Sequence, residues 1–351
     1  MPKPGALPLL IDCDTGIDDS LALLYACASD DADIRAVTCV AGNVDAVQVA
    51  INTRAVLELA GLPDVEVALG REVPLMRALV TTPETHGPRG LGDALLPPPS
   101  RSVSARHAAD LIITEARAHP GELTLVTLGP MTNLAVAVLR EPGLPRLLRR
   151  LVLMGGAYGA AGNTTPVSEW NVAVDPEAMA VVLRAWSSDG PMAWGTDPPI
   201  RPLALGLDVT EQARILPRHL DQLADRAGCR ADGSSLEPGG PTHPVMRYIA
   251  DALAFYFRFH ERFDGFTGAF IHDPLALAAA LDPDLVRTRP VTADVELGGA
   301  ITTGQTVADW RHHWGRPPNL DVALSADVDT FLARFIDRVG GLAAERSGVA
   351  R

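Results

Sequence analysis

Lysine is all but missing from this 351-residue chain: Lys3 stands alone, and arginine carries the rest of the positive charge. Thirty Lys and Arg residues face 43 Asp and Glu, for a formal net charge of −13. A deficit of that size excludes a general affinity for nucleic acid or an anionic membrane, both of which need clustered positive charge. The lysine shortage itself reads as a coding bias. Cysteine is scarce too. Cys13, Cys27, Cys39 and Cys229 are scattered without CxxC spacing, which fits small buried hydrophobes in a reducing compartment. No segment approaches the length of a membrane span, and the N-terminal MPKPGALPLLIDCD meets its first acids before a signal-peptide core could form. The expected location is the cytoplasm.

What is present is a regular alternation. PLLIDCD, IRAVTCVAGN, VEVALG, LTLVTLG and RLVLMGG are short apolar runs that read as buried strands. Helical patterns lie between them: Asp18 to Ala28, about Asp45 to Ala60, Ser104 to Ala118, and the stretch opened by MTNLAVAVLR. Continuous apolar strands spaced by helices imply an α/β fold, a doubly wound and mostly parallel sheet covered on both faces. Nothing marks a domain boundary, so a single domain over residues 1–351 is expected. Gly- and Pro-rich stretches near 81–100, 187–202 and 229–244 read as loop insertions. The first is long enough to suggest a functional loop.

The first strand ends in LLIDCDTGIDD, which crowds four carboxylates into eight residues. In an open parallel sheet, ligands gather at the carboxyl ends of the strands. Asp12 and Asp14 sit at such an end, and Asp18 and Asp19 open the next helix. Acids in a first helical turn gain about 0.3–1 kcal/mol each from the helix dipole. That explains Asp18 and Asp19 as ordinary helix-start charges but leaves Asp12 and Asp14 without a reason. Packed carboxylates destabilise a fold unless something positive sits among them. Oxygen donors with no histidine or thiolate among them suit Ca²⁺ or Mg²⁺ rather than zinc. The spacing is not that of an EF-hand, because Ile17 falls on the invariant glycine and Leu23 on the bidentate glutamate. It does not fit a DxDxT phosphatase either, since Gly16 stands where the threonine should be.

The pattern DxDxGxDD at an N-terminal strand end resembles the nucleoside hydrolases, calcium-dependent N-ribohydrolases that cleave nucleosides to base and ribose. Other motifs follow in that family's order: AGN ending at Asn43, THGPRGLG with His86, LVTLGPMTN from Leu125 to Asn133, and VLMGGAYGAAGN from Val152 to Asn163. PVSEWNVAVDPEA and the HDPLALA that begins at His272 complete the set, so the resemblance covers the first 180 residues or so and returns near residue 270. It implies that Asp14, Asp18, Asp19, Asp273 and the backbone carbonyl of Leu128 ligate Ca²⁺. Asn43, Asn163, Glu169, Asn171, Asp18 and Met154 would hold the ribose. Asp12 then reads as a carboxylate that orients the ligands. The resemblance further implies a small nucleoside as substrate and a homodimer or homotetramer. Thr15 departs from the family's frequent proline.

Several of these residues also have local readings. Asp273 precedes Pro274, and Asp175 precedes Pro176, the form of an N-cap followed by proline. Asn163, between Gly162 and Thr164, has the setting of a turn residue, and Asn133 that of local helix-start chemistry. Glu169 and Asn171 flank Trp170, so on extended backbone they face one side together.

Breaking an N-glycosidic bond passes through an oxocarbenium-like sugar. Asp14 would take the proton of a metal-held water. His272 and His86 are the candidates to protonate the departing base. His260, in FYFRFHERF, reads as a surface or packing residue. Tyr256, Phe257, Phe266 and Phe270 read first as core and second as a platform for the base. Two alternatives share most of these residues: a hydrolase of another ribosyl compound, and a non-catalytic, calcium-dependent riboside-binding protein.

Overall fold

Leu9 and Ile11 join one buried apolar cluster and Leu10 joins another, so the run Leu7–Cys13 is covered on both sides and forms a central strand, β1. The computed structural model describes residues 5–188, 198–229 and 243–347. The remaining strands are β2 (Ala32–Cys39), β3 (Glu66–Leu69), β4 (Thr124–Thr127), β5 (Arg150–Met154), β6 (Leu203–Leu205), β7 (Arg214–Ile215), β8 (Ala269–Phe270), β9 (Val286–Val295), β10 (Thr306–Asp309) and β11 (Leu320–Ala326). Nine of them build one sheet in the order β10-β9-β11-β6-β5-β4-β1-β2-β3, while β7 and β8 pair separately. From β3 to β11 the pairing is parallel; β9 runs antiparallel to both β11 and β10. The sheet is thus α/β and mostly parallel, as the apolar runs predict.

Chain order sets the site. The chain steps outward from β1 to β2 and β3, then returns to the other side of β1 with β4, β5 and β6. The order therefore reverses between β1 and β4, and a crevice opens beyond the carboxyl ends of strands at such a switch point. Asp14 follows β1 and Leu128 follows β4, side by side at that crevice, where the Leu128 N–H donates to the Asp12 carbonyl at 2.7 Å.

Helices Ile17–Cys27, Pro244–Phe263, His272–Leu281 and Val328–Glu345 contribute to the cluster that covers Leu9 and Ile11. Ala108–Ala118, Thr132–Arg140 and Pro176–Ala185 cover Leu10 on the other face. The helix expected from Ser104 starts four residues later. Ser104 is tied to the sheet edge by a bridge to Ala68, and His107 caps the helix by accepting the Ala109 N–H. The stretch 81–100 contains one helical turn, Pro83–His86, which carries His86 inward. In the other two proposed insertions, residues 189–197 and 230–242 lie outside the described residues. Among the described residues no helix is long and apolar enough to cross a membrane.

Candidate active site

Two helix starts converge beyond β1. Asp18 and Asp19 occupy the first turn of Ile17–Cys27, and Asp273 the first turn of His272–Leu281, where the exposed N–H groups of each helix favour negative charge. Their carboxylate oxygens come within 4.8 Å of one another, and all three side chains are buried. Asp19 is fixed from behind: its oxygens accept the N–H of Asp14 at 3.1 Å, the N–H of Gly16 at 2.9 Å and the Asn43 amide at 3.2 Å. Asp14 is held by the Asn43 N–H at 2.8 Å.

Burial raises the pKa of Asp14, Asp18, Asp19 and Asp273, and the mutual repulsion of these acids adds to it for Asp14, Asp18 and Asp273. Asp18 is pushed up to about 8. Among the described residues no arginine or lysine lines the cleft to offset them. An all-oxygen donor set of this kind, with the Leu128 carbonyl beside it, could hold a metal ion, and it has the chemistry of a hard cation site.

The cleft has a volume of about 460 Å³, within the range of small-molecule sites. Asp14, Asp18, Asp273, Asn43, His86, Leu128, Met154, Asn163, Glu169, Asn171 and His272 all line it. Of the residues proposed from sequence to hold the ion or the ribose or to protonate the base, Asp19 is the one that does not, because its carboxylate accepts backbone N–H groups instead.

Glu169 and Asn171 reach the cleft by a route different from the expected one. The backbone is not extended there: Glu169 caps the short helix Trp170–Val174, and its carboxylate accepts the N–H groups of Gly156, Asn171 and Val172. The Asn171 amide donates to the Leu128 carbonyl at 2.7 Å and the Met154 carbonyl at 3.2 Å, tying the ends of β4 and β5 together. Asn163 behaves as its turn setting predicts, accepting the Trp170 N–H at 3.0 Å, and still faces the cleft.

Three local readings need correction. Asp273 is not an N-cap, since the helix already begins at His272 after Ile271. Asn133 makes no local cap: its amide donates to Asp12 Oδ1 at 2.8 Å and to the Cys39 carbonyl, and its oxygen accepts the Arg71 N–H. Asp12 does not orient the clustered acids. It faces the other side of the sheet, bonded to Asn133 and Thr38, with Oδ2 unpartnered and a carboxyl driven by burial to about 7. Asp175 does cap the helix Pro176–Ala185 and also accepts the Thr132 hydroxyl.

Opposite chemistry is supplied by rings. His86, Tyr256, His260, Phe270 and His272 run in contact, with successive centroids 5.6, 4.6, 5.1 and 5.8 Å apart. His260 is not a surface residue; it is buried and lines the cleft with Phe259 and Phe263. Phe257 and Phe266 do not line it, although Phe266 supports His260 and Phe270 from behind. Tyr256, Phe259, His260 and Phe263 fall three or four residues apart, on one helix face, and that spacing was the available signal. Burial holds the imidazoles of His86 and His272 down to about 3. The His86 Nδ1 accepts the Ile17 N–H at 3.1 Å, and the His272 Nδ1 lies 2.8 Å from the Thr210 hydroxyl.

Carboxylates that favour positive charge, in one cleft with a wall of rings, suit a hydrolase that parts a sugar from a planar base. The comparisons agree. The model of the inosine-uridine preferring nucleoside hydrolases matches residues 9–333. The pyrimidine-specific ribonucleoside hydrolase RihA of Citrobacter koseri is 36% identical over 336 residues, 95% of this chain and 98% of that one. A purine-preferring ribonucleoside hydrolase from Gardnerella vaginalis superposes with a TM-score of 0.84 at 31% identity, over 96% of this chain and 99% of that one. The plant nucleoside hydrolase PpNRh1 does so with a TM-score of 0.83 at 28% identity, over 97% and 99%. This chain belongs to the inosine-uridine preferring nucleoside hydrolase family, and it is an enzyme that hydrolyses the N-glycosidic bond of ribonucleosides.

Proposed function

We propose that the reaction is Ca²⁺-dependent, with Asp14 as the base that takes a proton from the attacking water. The observation that carries this reading is the meeting of Asp18, Asp19 and Asp273 at the sheet's switch point, with no arginine or lysine among the described residues that line the cleft. Asp14, Asp18, Asp19, Asp273 and the Leu128 carbonyl would hold the ion, and Ca²⁺ tolerates the large, irregular oxygen shell such a set provides better than Mg²⁺ does. When bound, the ion would grip the ribose hydroxyls and lower the pKa of the water.

The chain's own groups do the rest. Asn43, Asn163, Glu169, Asn171, Asp18 and Met154 orient the ribose, several of them pinned by backbone bonds before substrate arrives. Preorganised groups of this kind lower the barrier without having to move during the reaction. The field of the clustered carboxylates favours the developing sugar cation. His272 and His86, which line the cleft, are the two candidates to protonate the departing base. The same reading takes the protein as a single-domain, cytoplasmic homodimer or homotetramer. Exposed apolar side chains such as Met76 and Ile301 supply surface that a second copy would cover.

One relative is named for pyrimidines and another for purines, so the assay must span both. Ribose release from inosine, adenosine, guanosine, uridine and cytidine should require calcium, stop on chelation, and fall about 10²–10⁴-fold in Asp14→Ala. Calcium-independent release would overturn the metal assignment. No release from any of the five with calcium bound would point to another riboside.

A further inference from the structure

Glu211 lines the cleft, yet among the described residues its carboxylate takes part in no hydrogen bond and no ion pair. The backbone that carries it is pinned on both sides. Asp208 accepts the N–H groups of Tyr158 and Ala160 at 2.8 and 3.0 Å. The Gln212 amide donates to the carbonyls of Asp208 and Leu324 at 2.8 and 3.3 Å. Glu211, half-buried between them, is a fixed carboxylate with its acceptor oxygens unused.

Its neighbours place it on the ring side of the cleft. The charged groups that act on it are Asp264, Arg214 and Asp208, none of them a member of the acid cluster beyond β1. Asp264 bonds the His260 ring, and Arg214 lies over the rings of Phe266 and Phe270 at 4.8 and 5.1 Å. Thr210, the residue before Glu211, meets the His272 ring at 2.8 Å. With the ribose against the clustered acids, the base extends past His272 toward the rings and Glu211.

That side of the cleft offers hydrogen-bond acceptors rather than donors. No arginine or lysine lines it among the described residues. The amides of Asn43 and Asn171 donate to Asp19 and to the carbonyls of Leu128 and Met154, and Asn163 accepts the Trp170 N–H. The hydroxyls of Thr82 and Thr85 bond each other at 2.7 Å. Burial, and then the charge of Asp264, raises the Glu211 carboxyl; Arg214 opposes them without pairing. A half-buried carboxylate accepts an N–H strongly, because the bond is charge-assisted, and it repels a carbonyl oxygen.

We infer that Glu211 selects the base by accepting an N–H from its exocyclic amino group. The inference rests on the reading that this cleft cleaves ribonucleosides with the ribose on the clustered acids. It divides the substrates by chemistry rather than by ring size. Cytosine and adenine present an amino group with two N–H donors. Uracil and hypoxanthine put an oxygen in its place, and their ring N–H lies beside that oxygen. Specificity of this kind combines an attraction for one base with a repulsion for the other. Glu211 exchanges no proton in the reaction, so whichever group protonates the departing base keeps that role.

The experiment measures kcat/KM for cytidine against uridine and for adenosine against inosine, with calcium present, in the wild-type enzyme, Glu211→Gln and Glu211→Ala. The members of a pair differ in leaving-group reactivity, but that difference is common to all three enzymes. The change in ratio therefore isolates Glu211. A glutamine can turn either its oxygen or its NH₂ to the base, and alanine offers neither. In each pair the enzyme cleaves, the amino-to-keto ratio should fall about 10–100-fold in both variants, mostly through slower cleavage of the amino base. A disturbed fold would slow both members of a pair alike, and thermal unfolding checks it directly. A ratio that stays at the wild-type value in the folded variants, or losses shared equally within each pair, would overturn the proposal. If the wild-type enzyme releases ribose from none of the four, the ribonucleoside reading fails; if it releases ribose and the ratios do not move, this inference fails alone.

Discussion

At the end of β1 the Asp14 carboxylate sits between backbone segments that leave it almost no freedom. A Cβ at Gly42 would stand 2.1 Å from its Oδ2, and one at Gly129 would stand 2.6 Å from its Oδ1. Neither position needs glycine for its dihedral angles; each needs it because the main chain approaches the acid so closely. In Gly42→Ala the methyl group and the Asp14 oxygen cannot both stay in place. A reacting group displaced by about 1 Å costs on the order of 10²-fold. The expected result is that kcat for uridine falls by about that factor while the KM changes much less. Wild-type kcat in this variant would show that the placement of Asp14 is not what limits the reaction.

Elements were easier to read from the sequence than the contacts between them. The continuous apolar run around Leu9–Ile11 reported a strand buried on both faces, and the acids that follow it reported a strand end. Both signals are local in the chain. What escaped was long-range. Asn133 follows Met131-Thr132 as a helix-start asparagine would, yet its partners are Asp12, Cys39 and Arg71, between 62 and 121 residues away. No spacing rule reports such a bond. Glu169 and Asn171 were placed at the site for the wrong local reason, because a helix cap and an extended segment look alike over three residues. His260 was missed because one polar residue among Phe and Tyr reads as the wet side of an amphipathic helix. Here the aromatic face is itself the wall of a cleft. The Asn133 network also makes a prediction about the sheet. Asn133→Ala removes one partner from Asp12, whose Oδ2 is already alone, leaves the Cys39 carbonyl with the Gly70 N–H only, and takes from the Arg71 N–H the amide oxygen it donates to. Leaving buried polar groups unpaired costs about 1–3 kcal/mol each. Thermal denaturation with calcium present should show a clear fall in Tm, and an unchanged Tm would mean that water takes over the lost bonds.

For the molecule as a whole, the acid cluster makes stability depend jointly on pH and calcium. Asp12 and Asp18 have pKa values raised from an ordinary 3.8 to about 7 and about 8, and Asp14, Asp19 and Asp273 are raised as well. Burial is the leading cause for each. A group whose pKa is higher in the folded state holds its proton more tightly there. Its favourable contribution is complete below the unfolded value and is lost as pH rises through the folded value. Metal-free protein should therefore lose stability between roughly pH 4 and pH 8. The surface pairs Arg77–Glu177, Arg106–Glu66 and Arg334–Asp282 do not mimic this, because their carboxylates are depressed and titrate at the acid end. Calcium binds the ionised carboxylates, so under the proposed assignment it offsets the loss most where they are charged, and binding at neutral pH expels protons. The Tm gain from calcium over a chelator should grow from pH 5.5 to pH 8.5. Calorimetric titration at pH 7 in buffers of different ionisation enthalpy should detect the released protons. A gain that stays flat with pH, with no proton release, would place the ion away from Asp14, Asp18, Asp19 and Asp273. Stability and catalysis would then depend on different sites.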